Sequence, residues 1–200
     1  MCGRYYITPA ALREAAELAE GPETEKDTAQ RDKDTAQRDV CPGESAPVLL
    51  ARGLRTESVR MTWGFPRQEG KGLLINARAE TAWEKPTFRD SIHSRRCVIL
   101  AGGFYEWNRE KEKYTFRRAD GTAVFLAGFY NRYRDGDRFV ILTVPANASV
   151  AAVHERMPLI LEAEELEDWL LDTGAAKKIT EKTPAALKGE TEYAQMSLFE

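Results

Sequence analysis

The chain has 200 residues, 42% hydrophobic and 10% aromatic, enough apolar material for the core of one globular domain spanning 1–200. It carries 29 basic against 32 acidic side chains, a formal net charge of −3, which argues against a protein that coats nucleic acid by bulk electrostatics but leaves room for a local basic groove. No apolar run reaches the length of a membrane span, no signal-peptide pattern opens the chain, and three scattered cysteines with two histidines suggest neither disulfides nor a metal site. The expectation is therefore a cytoplasmic monomer without membrane attachment, metal or cofactor.

Cysteine stands at position 2, in Met1-Cys2-Gly3-Arg4-Tyr5, so removal of Met1 would leave an amine and a thiol on adjacent carbons. Such a 1,2-aminothiol condenses with an aldehyde to an imine and then closes to a five-membered thiazolidine, which no internal cysteine can do. A second-position cysteine is equally compatible with a small buried residue. Thr8 followed by Pro9 predicts a helix N-cap and first turn, with Ala10 to Glu20 continuing in good helix formers. Lys26-Asp27-Thr28-Ala29-Gln30-Arg31-Asp32 then recurs letter for letter as Lys33 to Asp39. With alanine its only apolar residue, this polar insertion at about 26–39 cannot form a packed face. One tandem pair is also too few repeats for a solenoid.

Beyond residue 45 the pattern turns to short β-prone runs: 47–52, 58–63, 97–101, 104–107, 113–118, 123–130 and 138–144. Asp135-Gly136-Asp137 and Asp120-Gly121 read as hairpin turns. Helices are expected over 87–94, over 147–154 with Asn147 as cap, and over 162–171 with acids in its first turn. Irregularly interspersed strands and helices predict an α+β domain with a mainly antiparallel, barrel-like sheet and peripheral helices.

Three internal motifs join Cys2. In Asn76-Ala77-Arg78-Ala79-Glu80-Thr81, an amide and a guanidinium two apart in an extended segment share one face and could hold an oxygen-rich ligand, although Arg78 would also suit a structural ion pair. In Gly102-Gly103-Phe104-Tyr105-Glu106-Trp107, a carboxylate lies among aromatics; if buried, its pKa would rise and it could exchange protons near neutrality, and if not it points to solvent. Val153-His154-Glu155-Arg156-Met157-Pro158 places a histidine where a short helix is expected to give way to a strand over 159–161, with Arg156 as a second anion contact.

Taken together, Cys2-Gly3-Arg4, the 76–81 motif, Phe104-Tyr105-Glu106-Trp107 and His154-Glu155-Arg156-Met157-Pro158 resemble the SOS response-associated peptidase (SRAP) family, as does Trp63-Gly64-Phe65-Pro66. The resemblance implies a protein that removes its own Met1 and captures abasic sites in single-stranded DNA as a thiazolidine on Cys2, with lyase activity through the imine. It also implies roles: Cys2 as nucleophile, Asn76 orienting its amine or the sugar, and Glu106 and His154 moving protons. Arg4, Arg78 and Arg156 would hold phosphates, and Trp63 would be the stacking wedge. Where the family shows tyrosine-asparagine-valine-alanine-proline, this chain has Arg38-Asp39-Val40-Cys41-Pro42, with Cys41 expected to pack in place of alanine. Two other readings stay open: a thiol peptidase or amidase using Cys2 and His154 on external substrates, and a non-enzymatic DNA-binding module with a structural cysteine.

Overall fold

A computed structural model describes residues 2–19, 36–67 and 69–191. Met1 and most of the repeated insertion lie outside them. In chain order the elements are β1 (Arg4–Ile7), α1 (Pro9–Leu18), β2 (Arg38–Val40), β3 (Ser45–Arg52), β4 (Arg55–Trp63), β5 (Phe65–Pro66), β6 (Leu73–Leu74), β7 (Asn76–Arg78), α2 (Ala79–Ala82) and α3 (Arg89–Ser94). There follow β8 (Arg96–Ala101), β9 (Gly103–Trp107), β10 (Lys113–Arg117), β11 (Val124–Tyr133), β12 (Gly136–Pro145), β13 (Arg156–Pro158), β14 (Ile160–Leu161), a 3-10 turn at Ala163–Glu165, α4 (Leu166–Leu171), α5 (Thr173–Ile179) and β15 (Lys188–Thr191).

Five strands close on themselves. β12 pairs with β11, β11 with β8, β8 with β3 and β3 with β4, all antiparallel, and β4 returns to β12 in parallel. The α+β, barrel-like architecture expected from the sequence is the one found. β8 is buried along its whole length and β3 over five consecutive residues, which explains their continuous apolar runs in place of alternation. Trp63, Phe129 and Phe139 are fully buried in the core, and Gly128 is required there because a Cβ would sit 2.6 Å from the Val140 carbonyl oxygen. A second sheet, ordered β15-β10-β9-β1-β2, carries the N-terminus.

Thr8 caps α1 as expected, its hydroxyl accepting from Ala11 N at 3.2 Å. The β11–β12 hairpin turns through Arg134 and Asp135 into Gly136, whose φ of +120° suits glycine. Three expectations need correction. Asp120-Gly121 is a turn but joins strands of different sheets, so no hairpin forms there. Residues 148–153 are consecutive turns and not a helix. The base of the loop is closed by Pro145 pairing with Arg156 and Ala146 N donating to Glu155 O, and its i→i−4 bonds, Ala151 N to Asn147 O and His154 N to Val150 O, do not run consecutively as a helix requires. The strand expected at 159–161 starts earlier and is interrupted at Leu159, whose N–H donates to Leu142 O and whose carbonyl accepts from Ala127 N.

Candidate active site

β1 lies between β2 and β9, with Arg4 opposite Tyr105 and Tyr5 opposite Phe104. Continuing that antiparallel register toward the N-terminus carries Gly3 and Cys2 along the end of β9, where Glu106 and Trp107 stand. Cys2 is fully buried, and its thiol lies 3.7 Å from the Arg4 carbonyl. From the barrel side, β7 runs parallel to β12 and presents Asn76, whose Nδ2 donates to the Cys2 carbonyl at 2.7 Å. The other amide atom, Asn76 Oδ1, is buried without a hydrogen-bond partner among the described residues.

Electrostatics follow from this burial. Desolvation pushes the Cys2 thiol well above its ordinary range and the nearby Glu106 charge adds to the effect, so the sulfur is held as a neutral thiol. Glu106, 2% exposed, has its carboxyl pushed up by burial, with the charge of His154 acting in the opposite direction. Its environment is the desolvating one of the two that the sequence left open. His154 Nδ1 lies 3.0 Å from Arg156 N and 3.1 Å from Arg156 O. Glu106 thus stands within electrostatic reach of both Cys2 and His154, and the fold brings these two and Asn76 together from four separate stretches of chain.

The other expected contacts divide. Arg4 is partly exposed, 5.6 Å above the Trp107 ring and 3.8 Å from Asp39, and Arg78 is exposed. Arg156 is 9% exposed, and both its Nη atoms are engaged by Glu80, with Nη2 also donating to the Thr143 carbonyl. In this arrangement it supports the site's walls and presents no free fork for a phosphate. Trp63 is fully buried, its indole N–H donating to Ile75 O at 2.9 Å and its ring stacked on Phe139, so it belongs to the core and not to a surface wedge. The partly exposed aromatic beside Glu106 is Trp107. Alternation along β9 could have found it, since Tyr105 and Trp107 point away from the face shared by Phe104 and Glu106.

The departing segment lies beside the same mouth. Asp39 accepts from the Tyr105 hydroxyl at 2.9 Å, and this bond joins burial in pushing the phenol's pKa up. Cys41, expected to pack in place of alanine, is half-buried, with its N–H donating to the Glu44 carboxylate at 2.8 Å. Among the described residues no cluster of His, Cys, Asp or Glu could hold a metal, and no helix is long and apolar enough to cross a membrane.

Comparison with known proteins places this geometry in context. The family described as SOS response associated peptidase (SRAP) matches residues 1–197. The abasic site processing protein YedK of Escherichia coli is 29% identical over 189 residues, covering 90% of this chain and 84% of YedK. The abasic site processing protein YoaM of Bacillus subtilis is 33% identical over 145 residues, covering 66% of this chain and 64% of YoaM, less than two thirds of that relative's length. A crystal structure of a protein from Bacteroides thetaiotaomicron superposes with a TM-score of 0.79 at 24% identity, over 95% of this chain and 91% of that one, a likeness of fold.

Proposed function

The chain belongs to the SOS response associated peptidase family, and from that premise we propose that it processes abasic sites in single-stranded DNA by forming a thiazolidine on Cys2. Hydrolysis of the Met1–Cys2 peptide first frees the Cys2 amine. The amine adds to the C1′ aldehyde of the ring-opened deoxyribose and water leaves, giving an imine. The Cys2 sulfur then bonds to the imine carbon while its proton passes to the imine nitrogen, so the adduct is the sum of protein and DNA less one water. The same imine acidifies the neighbouring C2′ hydrogens, which opens a lyase route by β-elimination of the 3′ phosphate.

Each residue has a part in this sequence. Asn76 fixes the Cys2 carbonyl and thereby the directions of amine and thiol. Glu106, with its carboxyl pushed up by burial, exchanges protons during sugar opening and loss of water, and His154 is the second proton carrier. Arg4 and Arg78 hold flanking phosphates, and Trp107 offers the surface for a neighbouring base.

The observation that carries the reading is a fully buried, neutral Cys2 thiol, anchored through its carbonyl by Asn76 and adjoining Glu106. A thiol peptidase acting on external substrates needs the reverse, a thiol lowered toward the thiolate by a neighbouring imidazolium. The relatives named as abasic site processing proteins support the same choice. The test is the intact mass of Met1-free protein after incubation with an abasic single-stranded oligonucleotide. A denaturation-resistant species at the summed mass less one water is expected. Absence of any adduct, together with turnover of peptide or amide substrates, would transfer the assignment to a peptidase.

A further inference from the structure

β12 is flanked at Thr143 on both edges, by Arg78 of β7 on one side and by Pro158 of β13 on the other. Glu80 lies just past β7 and Arg156 opens β13, so their ion pair ties together the two flanks of β12. Arg156 Nη1 and Nη2 meet Glu80 Oε1 and Oε2 at 2.5 and 2.9 Å, a forked geometry that restrains direction as well as distance. The pair sits where restraint is most needed. The β12–β13 ladder ends at Pro145 and Arg156, and His154 lies beyond that end, outside any strand.

His154 takes its orientation from the main chain of Arg156. With its proton on Nε2, the neutral ring accepts the Arg156 N–H at Nδ1; with its proton on Nδ1, it donates to the Arg156 carbonyl. Only the second arrangement leaves a lone pair on Nε2 to accept a proton. Because donor and acceptor belong to one residue, changes in how Arg156 is seated shift the balance between the two tautomers.

We propose that Glu80 is a positioning residue: by gripping the Arg156 guanidinium with both oxygens it seats the main chain that orients His154 and selects its tautomer. The proposal rests on the reading of His154 as a proton carrier in abasic-site processing. Glu80 makes its side-chain hydrogen bonds to Arg156, and it also feels the charge of the neighbouring Arg78. The carboxylate of the 76–81 motif thereby gains a function beside those of its amide and guanidinium.

The test is Glu80→Gln, which keeps the shape and one acceptor but removes the charge and the second acceptor, alongside Glu80→Asp, which restores the charge on a shorter arm. In Met1-free protein without DNA, ¹⁵N NMR of the His154 ring reads the tautomer directly. With saturating abasic single-stranded DNA, a single-turnover time course reads adduct formation. Glu80→Gln is expected to change the ring's ¹⁵N pattern and to slow adduct formation on the order of tenfold, with DNA affinity within about twofold of wild type. Glu80→Asp is expected to recover part of both. An unchanged ¹⁵N pattern in a folded Glu80→Gln protein overturns the proposal, even if its melting temperature falls. Loss of affinity at an unchanged rate overturns it as well, by moving Glu80 to DNA grip. Should wild-type protein form no adduct, the abasic-site reading fails, whereas the ¹⁵N comparison still decides whether Glu80 orients His154.

Discussion

The Asn76 side chain donates to the Cys2 carbonyl at 2.7 Å, joining residues 74 apart in sequence. Its oxygen is buried with no hydrogen-bond partner among the described residues, a condition that costs about 1–3 kcal/mol unless a partner arrives. In the proposed reaction that partner is the amine freed when Met1 leaves. Asn76→Ala is therefore expected to reduce the single-turnover adduct rate by roughly 10–100-fold, the kinetic equivalent of a lost buried hydrogen bond to a reacting group. A denaturing-gel time course measures it. A rate equal to wild type would remove Asn76 from the site.

Glu106 and Glu80 should make opposite contributions to stability as pH changes. Burial raises the Glu106 pKa, so the folded state holds that proton more tightly than the unfolded state. Its ionisation therefore costs stability as pH rises from the ordinary carboxylate value through the raised one. The hydrogen bond from Arg156, with burial opposing it, lowers the Glu80 pKa. The stability Glu80 contributes is complete above the ordinary value and is lost as pH falls through the depressed one. Glu106→Gln should thus melt higher than wild type at pH 7, by roughly 2–4 °C for each kcal/mol relieved, with the gain disappearing near pH 4. Glu80→Gln should melt lower at pH 7, with the deficit shrinking in acid. Thermal melts across that range give the signs. Glu106→Gln should meanwhile slow adduct formation by about 10²–10⁴-fold, so a variant both less stable and fully active would contradict its role.

The strands are largely legible in the sequence itself. All seven β-prone runs fall on strands, five on the barrel (β3, β4, β8, β11 and β12) and two, β9 and β10, on the second sheet, because Val, Ile, Leu and aromatic residues cluster where strands pack into the core. The Thr8-Pro9 cap is readable because it is a local interaction. What escapes the sequence is decided by distant partners. Whether Arg156 faces a phosphate or a carboxylate depends on Glu80, 76 positions away, and Trp63 is drawn into the core by Ile75 and Phe139, which its own neighbourhood does not reveal. The turn run after Asn147 has a helical composition, but with strand pairing fixing both its ends it makes separate i→i−4 bonds and not a continuous helical ladder.

Amine and thiol should separate by chemistry. Met1-retaining or N-acetylated protein has no free Cys2 amine and is expected to give no adduct under denaturing conditions. Met1-free Cys2→Ala keeps an amine, so borohydride should trap its imine while no stable adduct accumulates without reductant. Intact mass must establish the N-terminus of each sample first. A heat-stable adduct from Cys2→Ala without reductant would show that another residue closes on the sugar.

Exposure separates Trp63 and Trp107, and likewise the arginines, into core residues and candidates for DNA contact. Trp63 is fully buried with its indole N–H bonded, so Trp63→Ala should cost about 3–5 kcal/mol of folding stability. Any loss of DNA binding would follow that unfolding. Trp107 is partly exposed beside Arg4, so Trp107→Ala should leave the melting temperature nearly unchanged and weaken binding by about 1–3 kcal/mol, the worth of one stacked base. For phosphates, Arg78 is exposed and Arg4 makes a long, partly exposed contact with Asp39, while Arg156 is taken by Glu80. Two contacts to a single strand give a slope of log affinity against log salt of about −1.4, and Arg78→Ala should bring it to about −0.7. Arg156→Ala should leave the slope near −1.4 while lowering stability, because it removes a buried partner of Glu80 and Thr143. Fluorescence anisotropy with a single-stranded oligonucleotide at about 50 to 200 mM salt distinguishes these cases. A slope that falls for Arg156→Ala and not for Arg78→Ala would mean that Glu80 gives up Arg156 to the DNA.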